Sequence, residues 1–392
     1  MFKKIQAGYH TLLFYGGVLL FPFSPGTLAW KLFKNKKGKV QLTNRDLICD
    51  TETLMALPKS ENSLDEFTTA FSPFIPLLTL NDHPWKLRRK ILADGLRKIN
   101  IEKDFPFDLP LKKGDIYWDV FEILFRIGYE LIFGRPVTPD EFREMYPGIV
   151  DINRLIKRHT GSPNINVRWK LYHRVAALLS EENKKFIFSE CHEFKALSEI
   201  DRVSIVVEDL LTSICIQCSD LICHLILLYS SFQEPFKNSL DHCINETLRL
   251  YPLTDIWTRK PTEKERGWIA SLIQLNRSGW RDPDSFKPER WNENDHPQLV
   301  SWGFDARSCP ATKIGYHLSK ALFQKMLLNK DIWIQPASNF KHDRTFSDGC
   351  QVWIGEGARP ILTKWKFKGR RKKQAQQWIA SRLRMLDQGE LW

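Results

Sequence analysis

No aspartate or glutamate occurs in residues 1–39, and no formal charge of either sign falls between Ile5 and Trp30. Cysteine is sparse. The eight present (Cys49, Cys191, Cys215, Cys218, Cys223, Cys243, Cys309, Cys350) have neither the density nor the spacing of a disulfide framework. That favours a reduced, cytoplasmic setting. Phosphate-loop, serine-hydrolase and zinc-protease motifs are absent, as are flavin and nicotinamide motifs and internal repeats. What remains is a 392-residue chain with 43% hydrophobic and 27% charged residues, enough to bury a sizeable core. It is not disordered, collagenous or a polytopic membrane protein.

The net charge is +12, from 58 basic and 46 acidic residues, a balance that by itself suggests nucleic acid. Its distribution argues otherwise. Lys3, Lys4, Lys31, Lys34, Lys36, Lys37 and Lys39 make residues 1–39 strongly basic, and residues 364–392 set nine cations against Asp387 and Glu390. Residues 40–363 are close to neutral, so no nucleic-acid partner is expected. The uncharged stretch near the start is interrupted by Gly16, Gly17, Pro22 and Pro25. Three readings stand open: a short membrane anchor or interfacial segment, a buried leading segment, or a cleaved signal peptide. As an anchor, its flanking lysines would keep the main body cytoplasmic. The tail carries Trp378, Ile379, Leu383 and Leu386 at helical spacing among basic residues, so both ends are expected to favour an anionic membrane surface. Three parts are therefore expected: an N-terminal segment 1–39, a body 40–363 and an amphipathic tail 364–392.

Periodicity predicts a strand over Lys39–Leu42 and helices over Asp50–Leu57, Pro84–Leu96, Asp119–Phe133, Pro139–Arg158, Asn166–Phe188, Ile200–Tyr229, Phe236–Leu250 and Ala311–Leu328. A loop-rich zone over Tyr251–Ser308 separates the last two. The expected fold class is mainly α with small β-sheets. Cys215, Cys218, Cys223 and His224 fall inside the apolar stretch Val206–Tyr229 with no turn residues, so helix packing is expected there rather than a metal site.

Three short motifs follow one another. Glu246-Thr247-Leu248-Arg249 sets a carboxylate and a guanidinium on one helical face. Pro288-Glu289-Arg290 offers a further arginine. Trp302-Gly303-Phe304-Asp305-Ala306-Arg307-Ser308-Cys309-Pro310 is a glycine-containing loop that delivers a cysteine to the start of a helix.

In their order and separation these motifs resemble those of the cytochrome P450 family of heme-thiolate enzymes, with the resemblance covering roughly residues 80–330. It implies a single heme domain with the P450 fold and heme b as cofactor. Cys309 would be the axial thiolate ligand of the iron, and Glu246, Arg249 and Arg290 a buried ionic triad. It further implies that Trp85 and Arg89, from the stretch Trp85-Lys86-Leu87-Arg88-Arg89, bind a heme propionate with Arg259 and Arg307. Strong electron donation by the sulfur favours O–O cleavage, and ligation requires the deprotonated thiol.

Several positions depart from the family pattern. In the cysteine loop Trp302 replaces phenylalanine, Asp305 a glycine and Ala311 another glycine. Asp tolerates a left-handed backbone better than most residues, so Asp305 is expected to keep the turn. Trp302 is expected to stack on the cofactor, with an indole N–H directed at the sulfur as the alternative. The helix that crosses the distal face in the family carries a small-residue pair followed by an acid and a threonine. Here Leu210 and Leu211 lead into Thr212, Ser213, Ile214, Cys215, Ile216 and Gln217, without that acid–threonine pair. Thr212 and Ser213 are the remaining candidates for a distal proton relay.

The function the resemblance implies is monooxygenation of a lipophilic small molecule, with electrons from a separate reductase or ferredoxin. Two alternatives stay open: a P450-like peroxygenase, isomerase or dehydratase that does without reductive O2 activation, and a non-catalytic heme-binding protein.

Overall fold

The computed structural model describes residues 6–13, 25–43, 45–57, 73–99, 101, 114–158, 163–254, 256–259, 266–293, 295–327, 332–335 and 351–354. The tail 364–392, Cys350 and much of the uncharged N-terminal stretch lie outside them. The chain is mainly helical with small sheets, and it divides into two compact units. One comprises Met1–Leu64, Asp220–Cys309 and Phe323–Trp392; the other comprises Asp65–Ser219 and Pro310–Leu322. The longer helices are α1 (Pro25–Phe33), α2 (Asp82–Leu96), α3 (Ile116–Phe133), α4 (Pro139–Arg158), α5 (Ile165–Ser180), α6 (Glu199–Tyr229), α7 (Leu240–Leu250), α8 (Leu272–Arg277) and α9 (Thr312–Leu327).

In the first unit, strands β1 (Lys39–Gln41), β2 (Arg45–Ile48), β3 (Ile256–Arg259) and β4 (Gly267–Ser271) form a sheet of order β1-β2-β4-β3. β2 runs parallel to β4 and the other pairs are antiparallel. Every residue of β4 is buried, which suits a central strand that reads Gly-Trp-Ile-Ala-Ser with hardly a polar side chain. Leu28, Ala29 and Phe33 of α1 pack with Val40, Leu47 and Ile269 of the sheet. Two further strands, β5 (Ile332–Gln335) and β6 (Gln351–Ile354), pair antiparallel.

In the second unit, α2 buries Trp85, Arg88, Ile91, Leu92, Gly95 and Leu96, a stripe at helical spacing. Gly95 sits where a Cβ would lie 2.2 Å from the Phe188 ring, so the chain needs glycine there. α4 starts on a reciprocal capping box: the Thr138 N–H donates to Glu141 Oε2 (2.9 Å) and the Glu141 N–H to Thr138 Oγ (3.3 Å). Pro139 fills the first helical position, where a missing N–H costs nothing.

The helices fall near their expected spans, with two corrections. The helix expected over Asn166–Phe188 stops at Ser180, because Glu181 turns extended (φ −74°, ψ 144°). Phe188 instead stacks on Phe194 at 4.7 Å. The helix expected over Phe236–Leu250 breaks at Ser239 (φ −153°, ψ 89°), so α7 begins at Leu240. The loop-rich zone also holds β3, β4 and α8. α6 is long and apolar enough to cross a membrane, yet 78% of its apolar window is buried inside the protein, as in a core helix. Cys215, Cys218 and Cys223 are buried within it, and no metal-holding cluster of His, Cys, Asp or Glu occurs among the described residues. Between Ile205 and Cys218 the helix carries two π-helical stretches, a wider winding often found at functional sites.

Candidate functional site

Glu246 and Arg249 lie one turn apart on α7, both fully buried. Arg249 grips the carboxylate with two nitrogens: Nε to Oε2 at 2.8 Å and Nη2 to Oε1 at 2.9 Å. Arg290 approaches Oε1 at 3.3 Å from the short 3-10 turn Pro288–Asn292. The backbone N–H of Lys287 and the indole N–H of Trp291 donate to the same carboxylate at 2.9 and 3.0 Å. Most of the remaining guanidinium hydrogens are used as well: Arg249 donates to the carbonyls of Pro283 and Ser285, and Arg290 to those of Arg281 and Lys287. Trp280 lies against both cations, 5.5 Å from Arg249 and 5.2 Å from Arg290. A buried charge is tolerable when its lone pairs and protons are met in this way.

The cysteine loop is fastened to this cluster. Asn276 of α8 donates to Ser301 Oγ at 2.7 Å and accepts from the Val300 N–H at 2.9 Å, while Ser301 donates to the Leu248 carbonyl of α7. Phe304 packs against Trp257 of β3 at 5.4 Å and Trp268 of β4 at 6.2 Å. Within the loop the Cys309 N–H donates to the Trp302 carbonyl at 2.7 Å, and Asp305 Oδ1 accepts the Arg307 N–H. Gly303 has φ +94°, and a Cβ there would lie 2.8 Å from Ser308 Cα. Asp305 does adopt the left-handed backbone (φ 58°) expected from its replacement of a glycine. Cys309 is partly exposed.

Arg259 closes β3 and donates to its neighbour's carbonyl, but its buried Nε has no hydrogen-bond partner among the described residues. Burial pushes this guanidinium below its ordinary pKa, and the Asp305 charge offsets only part of that. A cation so placed suits an anionic group such as a propionate. In the other unit Trp85 and Arg89 share a face of α2, with the guanidinium 5.6 Å from the ring centre. Thr212 is buried and its Oγ has no hydrogen-bond partner among the described residues, whereas Ser213 is exposed and donates to the Glu208 carbonyl at 3.0 Å. The cofactor candidates Arg259, Trp302, Arg307 and Cys309 thus belong to the first unit, and Trp85, Arg89, Thr212 and Ser213 to the second.

No family model matches the chain. The fold does match solved structures. The retinoic acid-bound cyanobacterial CYP120A1 gives a TM-score of 0.64 at 17% identity, over 88% of this chain and 96% of that one. CalO2 gives 0.62 at 14% identity, over 82% and 93%. Cytochrome P450EX alpha (CYP152N1) with myristic acid gives 0.62 at 12% identity, over 89% and 97%. In sequence, a stretch of 114 residues is 31% identical to the cholesterol 16,22-dihydroxylase CYP90G4 of Trigonella foenum-graecum, 25% of this chain and 24% of that protein. A 93-residue stretch is 30% identical to cytochrome P450 81D1 of Arabidopsis thaliana, covering 20% and 18%. The chain has the cytochrome P450 fold and resembles P450 sequences over these two stretches. The matched stretches span a quarter or less of these two curated relatives.

Within this P450 fold, the residues that complete the cluster around Glu246 were not singled out by the motifs. Trp280, Trp291, Asn276 and Ser301 act through contacts between segments distant in sequence, and only Trp291 had a local cue, standing directly after Arg290.

Proposed function

We propose that the protein is a heme-thiolate enzyme that oxidises a lipophilic small molecule, with Cys309 holding the iron. The observation that carries this reading is the way the cysteine loop is built: a Gly303 turn that only glycine fits, a left-handed Asp305 and a staple through Asn276 and Ser301 fix a partly exposed cysteine ahead of a helix. Such rigidity has little purpose around a merely packed thiol. The unpartnered Nε of Arg259 supports an anionic cofactor edge nearby, and Arg307, Trp85 and Arg89 would add to its recognition. When bound, thiolate-ligated heme supplies O–O bond cleavage and oxygen transfer. Trp302 would flank the ligand loop, and its carbonyl fixes the Cys309 backbone. Thr212, whose buried hydroxyl has no protein partner, is the better candidate to hold or pass a proton, because Ser213 commits its own to the Glu208 carbonyl. Electrons would come from a separate reductase or ferredoxin.

The absence of an acid beside Thr212 favours a second reading, in which peroxide replaces dioxygen and reductant. The two buried acids of α6, Glu208 and Asp209, stand four and three residues earlier. The test compares turnover of fatty acids, retinoids and sterols driven by reductase with turnover driven by hydrogen peroxide. Reductase-dependent product supports the monooxygenase, peroxide-dependent product alone supports the peroxygenase, and heme binding without either supports a non-catalytic role. The basic ends would draw the chain to anionic membranes; flotation with phosphatidylserine vesicles that is lost at high salt is the expected result.

A further inference from the structure

Residues 74–80 run Phe-Ile-Pro-Leu-Leu-Thr-Leu, and a compact domain would ordinarily fold such a segment inward. Instead Ile75 and Leu78 are 40% and 47% exposed, while Phe74 is buried and packs near Tyr172 of α5. Polar bonds to α6 hold the segment. The Ile75 N–H donates to Ser204 Oγ at 2.9 Å, and the Leu77 N–H to Asp209 Oδ1 at 2.8 Å. Arg88 of α2 donates to the Ile75 carbonyl, pairs with Asp201 at 2.6 Å and faces Asp209 Oδ2 at 3.8 Å.

Asp209 Oδ2 is buried and accepts no hydrogen bond among the described residues. If the carboxyl is ionised, half of its charge is left to a guanidinium already engaged with Asp201 and Ile75. We propose that residues 74–80 form a strap latched onto α6 by Ser204, Asp209 and Arg88, and that loss of the Asp209 proton loosens it by drawing water to Oδ2.

The surroundings agree. Burial pushes Asp209 up to about 7, against the downward pull of Arg88 and the Leu77 N–H. Among the described residues, Arg88 is the charged residue of a neighbouring helix that acts on it. On its own helix, Asp201 is paired with Arg88, and burial raises Glu208 well above the ordinary carboxyl value. Arg168 of α5 faces Glu208 and is itself paired with Asp151 of α4 at 2.8 Å. A carboxyl whose pKa is raised in the latched state favours that state when protonated. The latch is therefore firm near the ordinary carboxyl value of 3.8 and weakens as pH climbs to about 7. The strap covers part of α6 and presents Ile75 and Leu78 to solvent, so its release would change access to that helix.

Hydrogen exchange of the full chain between pH 4 and 8, corrected for intrinsic base catalysis, tests this through the Ile75 and Leu77 amides. Their opening is expected to rise by up to tenfold per pH unit to about pH 7 and then level off. Asp209→Asn keeps an acceptor for Leu77 and cannot ionise, so it should hold the strap closed with no pH slope. Ser204→Ala should speed Ile75 exchange at every pH and leave the slope in place. A flat wild-type profile overturns the proposal without any variant. So does a slope that survives in Asp209→Asn, or an equal rise in the amides of α7, which would mean global loosening. These readouts do not depend on heme, so they stand or fall separately from the proposed enzyme activity.

Discussion

Glu246 and Glu208 are buried to nearly the same degree, each on a helix, and they end in opposite states. Glu246 receives four hydrogen bonds, from Arg249 twice, Lys287 and Trp291, and a second guanidinium from Arg290. Neither carboxyl oxygen of Glu208 finds a hydrogen-bond donor among the described residues. Burial therefore raises its pKa; Arg168 pulls it part of the way back and the neighbouring Asp209 charge adds to the rise. The chemistry of a buried acid is set by the donors around it rather than by its depth. One region uses an acid as a charge that gathers three segments, and the other keeps acids whose burial favours the protonated form.

The largest effect is expected from removing a partner in the first region. Arg249→Leu strands the Glu246 carboxylate and should cost about 3 to 5 kcal/mol in urea unfolding. A loss below about 1 kcal/mol would show that the cluster is not ionic in the way its geometry indicates.

Glu141 offers a second satisfied acid. Burial alone would raise its pKa, but Arg135 and the Thr138 cap together hold it well below the ordinary 4.5. Its stabilising contribution is thus present above the unfolded value and is lost as pH falls below it. Glu141→Gln should cost about 1 to 3 kcal/mol at pH 7 and less at pH 3, by thermal melts at both.

Glu208 has the reverse sign. Its folded pKa lies above the unfolded value, so the wild type loses stability as pH rises, by about 1.4 kcal/mol per unit where only the unfolded form is ionised. Glu208→Gln should make that limb shallower, leaving the part that Asp209 contributes. A Glu208→Gln curve parallel to the wild type would erase the contrast with Glu246.

The smallest effect is local. Asn276→Ala removes the staple between α7 and the cysteine loop and should cost about 1 kcal/mol, with faster exchange at Val300.

The helical spacing of Glu246 and Arg249 was legible in the sequence because one turn of helix brings them together. Asp305 was legible through its tolerance for a left-handed backbone. The rest of the cluster was not, since Trp280 and Asn276 meet α7 only after the zone read as loop folds into β3, β4 and α8. The break at Ser239 was hidden by continuous apolar periodicity across it. The widened turns of α6, and with them the isolation of Glu208, have no local sequence signal, because the same apolar pattern serves either winding.

The account rests most heavily on Cys309, and the carbon monoxide difference spectrum of the reduced, heme-loaded chain tests it most directly. The wild type and Cys215→Ser should both give the Soret shift of a thiolate-ligated heme, and Cys309→Ala should lose it. A thiolate-type shift that persists in Cys309→Ala, or none in the wild type, would contradict the assignment.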